Sequence, residues 1–240
     1  MHDIPDPADG MPLDSAAGLE PCLLQLRRRL LRQAALAIGM LETSLEALWS
    51  LDPDLVEEVL RRDDRVDAEE VNLERDCLSL LTLQRPFARD FREITFILKA
   101  NGDLERVADH ACSIAKVARQ LRENPPERWP IALREMGERV PMMCHTLLRA
   151  VIDEDVKTAE TIVTEDKIID RLDKRVFIEA REMIEVDHTQ AEAGMLISRL
   201  GRELERVGDL MANIAENVVY LTTGTIVRHD LKATPRLRGA

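Results

Sequence analysis

No stretch of this sequence approaches the roughly 18 consecutive apolar residues that a membrane-spanning helix requires. Residues 1–10 are polar and acidic rather than basic and then apolar, as a secretory leader would be. A cytoplasmic protein without membrane insertion is therefore expected. Aromatic residues are scarce, with two Trp, four Phe and one Tyr in 240 positions, which argues against sheets built from aromatic and β-branched strands. Cys22, Cys77, Cys112 and Cys144 include no close-spaced pair, so they read as buried thiols rather than a disulfide framework or a zinc site. Excess positive charge is missing too. A formal net charge of -12 repels a phosphate backbone, and no nucleic-acid partner is expected. Neither a Gly-rich phosphate loop nor a nucleophile elbow occurs.

What is abundant is Leu, Ala, Ile, Val, Glu and Arg, a balance that suits an all-α fold. Residues 1–17, rich in Pro and Gly, read as a flexible leader, and 228–240 as a flexible tail. Between them, Leu23, Leu26, Leu30, Ala34, Ala37, Leu41, Leu45 and Leu48 alternate by three and four and predict a first helix ending near Ser50. Asp52-Pro53 supplies an N-cap and a first-turn proline for a second helix over about 53–83. Gln84-Arg85-Pro86 breaks that pattern, and a third helix is predicted over about 86–122. Asn124-Pro125-Pro126 cannot lie inside a helix and marks the boundary between two domains, 18–123 and 127–222. A fourth helix follows from about 130, with Pro141 expected to start it late or kink it. Asp155 caps a fifth, and a sixth runs over about 190–221.

The second half repeats the first. Gly102-Asp103-Leu104-Glu105-Arg106-Val107-Ala108-Asp109 returns as Arg202-Glu203-Leu204-Glu205-Arg206-Val207-Gly208-Asp209, 100 residues later. Asp52, Asp63 and Asp67 recur as Asp155, Asp166 and Asp170 at an offset of 103, with Asp173 matching Glu70. A three-residue shortening near Asp187-His188-Thr189 accounts for the change of offset. In each half, one acidic stripe on the second helix (Asp63, Asp67, Glu70, Glu74; then Asp166, Asp170, Asp173) can face an acidic pair on the third (Glu105 and Asp109; Glu205 and Asp209). Residues four apart share a helix face.

With 45 acidic residues in the chain, a lone pair at that spacing means little. Recurrence at equivalent places means more. Converging carboxylates need protons or a cation between them, and hard ions such as Fe, Mn or Mg suit all-carboxylate sites. The alternative is a solvated acidic face that holds no metal. Di-iron oxidase chemistry would want Glu-x-x-His motifs, and neither pair has a histidine three residues on. His2, His110, His145, His188 and His229 occupy no matching places, and His110 reads as an ordinary interhelix or surface residue. Arg106 and Arg206 neighbour acids on their own helices and read as their ion-pair partners. Long helices with an apolar seam suit a homodimer.

These residues resemble the PhoU family, the accessory and regulatory proteins of bacterial phosphate-specific transport systems. The likeness covers about 20–230 and rests on Asp63-Asp64-Arg65-Val66-Asp67 with Glu70, Gln84-Arg85-Pro86, the two Leu-Glu-Arg-Val-(Ala/Gly)-Asp segments, Asn213-Ile214-Ala215-Glu216 and the closing Thr223-Gly224-Thr225-Ile226-Val227-Arg228-His229. The resemblance implies two tandem three-helix bundles and no catalytic activity. It also implies repression of phosphate-starvation genes through contact with the ATPase of the phosphate ABC transporter and with a sensor histidine kinase. It places metal ligands at Asp63, Asp67, Glu105, Asp109, Asp166, Asp170, Glu205 and Asp209. Ala108 in place of Gly, Ser113 opposite Asn213, and Phe177 opposite Glu74 depart from the pattern, so the two metal sites are expected to differ, or one to be empty. A carboxylate-bridged metalloenzyme or metal-storage bundle is the alternative function, and a structural helical partner a third.

Overall fold

A computed structural model describes residues 18–227; the expected leader and tail lie outside them. Six helices follow one another: α1 (Leu19–Ser50), α2 (Pro53–Gln84), α3 (Ala88–Leu121), α4 (Ile131–Asp153), α5 (Val156–Val186) and α6 (Ala191–Thr223), with a single 3₁₀ turn at His188–Gln190 before α6. No strand occurs among the described residues. Helices α1–α3 form bundle 1 and α4–α6 bundle 2.

The joints repeat as the sequence does. Asp52 accepts a hydrogen bond from the Asp54 amide at 2.9 Å, and Asp155 accepts from Lys157 and Thr158 at 3.0 and 3.2 Å, each satisfying amides that a helix start leaves without partners. Just before each cap, Leu51 and Glu154 take the left-handed conformation that reverses the chain. Two expectations about boundaries change. Arg85 also turns left-handed and Phe87 is extended, so α3 begins at Ala88 rather than Pro86. Pro141 does not delay α4, which is helical from Ile131. Gly224 (φ 74°) ends α6, its amide reaching the Tyr220 carbonyl at 2.9 Å.

The bundles share one continuous apolar core, in which α3 packs along α6 and α1 against α4. Bundle 1 also holds bundle 2 by its helix ends. Arg27 donates to the Val151 and Ile152 carbonyls at the end of α4, both at 3.1 Å, and Arg92 to the Leu221 carbonyl of α6 at 3.2 Å. Cations suit the negative ends of helices. The linker is pinned by both tryptophans, Trp49 and Trp129, packed edge to face at 5.1 Å with Arg134 over Trp49. All four cysteines are buried thiols outside any disulfide, as expected.

Candidate functional site

In bundle 1 the stripe of α2 and the pair of α3 do meet. Glu105 is held above its ordinary pKa first by burial, then by Asp109, Asp67, Glu70 and Asp63, so all five carboxylates act on one face. Asp67 is raised by burial and by Asp63, Asp109 and Asp64, and Glu70 by burial, Glu74 and Asp67. Asp63 is partly buried on this face: one of its carboxylate oxygens is shut off from water, and its hydrogen bond with the Cys112 thiol adds to burial in pushing that thiol up to about 12. A polar spacer sits beside this face. The Asn101 amide donates to the Glu70 backbone carbonyl at 2.9 Å and accepts from Gln33 at 3.1 Å. Among the described residues no three His, Cys, Asp or Glu side chains stand close enough to hold a metal as they are placed; the carboxylates lie within electrostatic rather than ligating range.

Bundle 2 carries the same acids in a tighter setting. Asp166 and Asp173 are 2% and 8% exposed, whereas their counterparts Asp63 and Glu70 are only partly buried. The cause is a stripe of glycines seven apart on α6. A Cβ on Gly194 would meet Ile184 at 2.6 Å, one on Gly201 would meet Val176 at 3.0 Å and Asp173 at 3.2 Å, and one on Gly208 would meet Ile169 at 3.3 Å. Bundle 1 has Ile94, Asn101 and Ala108 at those places, and its third helix cannot approach as closely. Across this contact Arg202 reaches both Asp173 (3.3 Å) and Glu205 (3.1 Å). Burial still raises Asp173 and Glu205, but Arg202 opposes the rise at both. Asp209 acts on Glu205 and Asp170 on Asp173, so this row is also brought together.

Phe177, which stands where bundle 1 has Glu74, is 57% exposed; Glu74 is exposed as well, so the second stripe is one acid shorter at its outer end. The position that further distinguishes the two faces is 202 against 102, readable in the repeat but silent about reach. His110 is an interhelix residue, as expected, and its partner is specific: Nδ1 lies 2.7 Å from Glu203 of the other bundle. Glu203 itself was passed over by sequence reading. Burial would raise its pKa, yet His110 and Arg199 outweigh that and hold it below the ordinary carboxylate range. Arg106 pairs with Asp103 on its own helix at 3.8 Å.

A raised folded-state pKa means that ionisation costs stability above it, a cost relieved as pH falls through it toward the ordinary carboxylate range. In chelator-treated protein at pH 7, Glu105→Gln is therefore expected to raise the Tm by about 1–2 °C, the scale of removing a few like-charge pairs, with the gain shrinking near pH 4. A lower Tm at pH 7 would show that these carboxylates do not repel one another.

A PhoU domain family model matches twice, over residues 30–118 and 133–218. The chain belongs to the PhoU family. Relatives similar to this PhoU chain include the phosphate-specific transport system accessory protein PhoU homolog of Deinococcus radiodurans, 35% identical over 186 residues, 78% of this chain and 87% of that one. The homolog of Pseudomonas aeruginosa is 33% identical over 208 residues, 86% of each. Its crystal structure superposes with a TM-score of 0.82 at 32% identity, covering 85% of this chain and 98% of that one. The phosphate transport system regulatory protein PhoU from Streptococcus pneumoniae gives 0.78 at 30%, covering 88% and 99%. The tandem helical repeat is thus the PhoU architecture over nearly the whole described chain. Among the described residues no helix is long and apolar enough to cross a membrane.

Proposed function

We propose that this PhoU chain is a non-enzymatic, cytoplasmic regulator of phosphate uptake and a negative regulator of phosphate-starvation genes. It acts as a metal-binding adaptor between the ATPase of a phosphate ABC transporter and a sensor histidine kinase, as a homodimer. The observation that carries the reading is the double PhoU domain match, at full-length similarity to relatives named as phosphate-specific transport accessory proteins.

The residues of bundle 1 fit a hard cation. An oxygen of Asp63 is shut off from water, and carboxylates that raise one another's pKa would be relieved by positive charge. Asp63, Asp67, Glu70, Glu105 and Asp109 would hold Fe, Mn or Mg once their side chains turn inward from their present positions. Such an ion supplies charge neutralisation and a rigid link between α2 and α3. The engagement of His110 with Glu203, away from the acidic pair, favours this role over oxidase chemistry.

Affinity capture of the tagged chain from phosphate-replete and phosphate-starved cells, under extraction that preserves membranes, tests the adaptor. The transporter ATPase or the kinase is expected in amounts that depend on phosphate supply. Recovery of neither, in either condition, would overturn the reading.

A further inference from the structure

The two acidic faces are built from the same residue types but differ in what neutralises them. In bundle 1 Asp63, Asp67, Glu70, Glu105 and Asp109 share a face on which position 102 is a glycine. At the equivalent place in bundle 2, a guanidinium bridges the two helices that carry the acids, 3.3 Å from Asp173 on α5 and 3.1 Å from Glu205 on α6. Its reach across the helix pair depends on Gly201, against whose bare backbone Asp173 packs. The counterpart of Gly201 is Asn101, which spaces the helices of bundle 1, and the counterpart of Arg202 is Gly102, which carries no charge.

We propose that Arg202 is a built-in cation that closes the bundle 2 acidic face to metal, so that the protein holds metal on the bundle 1 face alone. This rests on the metal-binding reading given above. A guanidinium is charged at every physiological pH. Seated between Asp173 and Glu205, it both repels an incoming divalent ion and occupies one carboxylate oxygen of each. The Arg202 side chain is 54% exposed, so the residue is a gate on the face rather than part of the core, and its removal is expected to leave the packing of α5 on α6 intact. The converse exchange is sterically open as well, since a Cβ added at Gly102 meets nothing within 4 Å.

The test is a titration of the metal-free full-length chain with Mn²⁺ alone, followed by calorimetry and by the electron paramagnetic resonance of bound Mn²⁺, with far-UV circular dichroism to confirm that each variant folds. The wild type is expected to bind through bundle 1: Glu105→Gln with Asp109→Asn abolishes binding, and Glu205→Gln with Asp209→Asn leaves it unchanged. Adding Arg202→Ala to the Glu105→Gln/Asp109→Asn background restores binding, with affinity at least about tenfold above that background, and Gly102→Arg lowers wild-type affinity by a similar factor. The proposal is overturned if Arg202→Ala gains no Mn²⁺ binding, or if wild-type binding is lost on changing Glu205 and Asp209. A wild type that binds no Mn²⁺ beside an Arg202→Ala variant that does would instead reject the metal reading of bundle 1 while upholding the role of Arg202.

Discussion

Urea unfolding of an Arg29→Met variant is expected to show the largest loss of stability of any single change considered, about 3–5 kcal/mol, or a midpoint lowered by more than about 1 M. Arg29 is 3% exposed and lies 2.6 Å from both Glu69 and Asp76 of α2. Glu69 is 26% exposed and can rehydrate; Asp76 is buried and cannot. Methionine fills the space but leaves the Asp76 charge without its guanidinium, and an uncompensated buried charge costs far more than the pair itself contributes. Replacing both partners, as Arg29→Met with Asp76→Leu, should recover most of the loss. If the single variant is as stable as the wild type, the ion pair does not organise bundle 1.

Bundle 2 shows why such an arginine is needed only once. The positions equivalent to Arg29 and Asp76 are Ala132 and Glu179, and there the Glu179 carboxylate accepts a hydrogen bond from the Ala132 amide at 3.2 Å. Helix α4 begins at Ile131, so its free N-terminal amides meet the acid that Arg29 meets in the longer α1. A helix N-terminus carries a partial positive charge and unsatisfied donors, and together with Arg175, which donates to Glu179 at 3.0 Å, it takes the place of the buried guanidinium.

The second large effect falls between the bundles. His110→Leu should cost about 2–3 kcal/mol, lowering the Tm by roughly 4–10 °C. The imidazole is the close partner of a buried carboxylate: Glu203 lies 2.7 Å from it, with the more exposed Arg199 at 3.5 Å. Leucine is the residue that the repeat itself places at 210, so backbone preference is unchanged and the loss reports the pair. A double-mutant cycle with Glu203→Leu should give a coupling energy of about 1–3 kcal/mol. The depressed pKa of Glu203 fixes the sign of its pH dependence: its contribution is present above the ordinary carboxylate pKa and is lost as pH falls through the folded value. A neutral His110→Leu substitution would mean that Arg199 alone satisfies Glu203.

Much of this architecture was legible because its signals are local. The leucine seam of α1, the Asp52 and Asp155 caps, the proline break before α4 and the acidic spacings along α2 and along α3 all follow from residues within a few turns of one another. What was not legible depends on how helices far apart in sequence approach. His110 and Glu203 are 93 residues apart and meet only because α3 packs along α6. The exchange of Gly102 for Arg202 was in plain view in the repeat. Its consequence depends on a glycine stripe that lets α6 close on α5, and a residue type alone does not reveal how near its neighbours stand.

The most direct test of the regulatory role is the rate of radiolabelled phosphate uptake in phosphate-replete host cells with and without the gene for this chain. Loss of the gene should raise uptake and switch on phosphate-starvation genes, and expression of the chain from a plasmid should reverse both. Uptake and gene expression unchanged by the deletion would contradict the account.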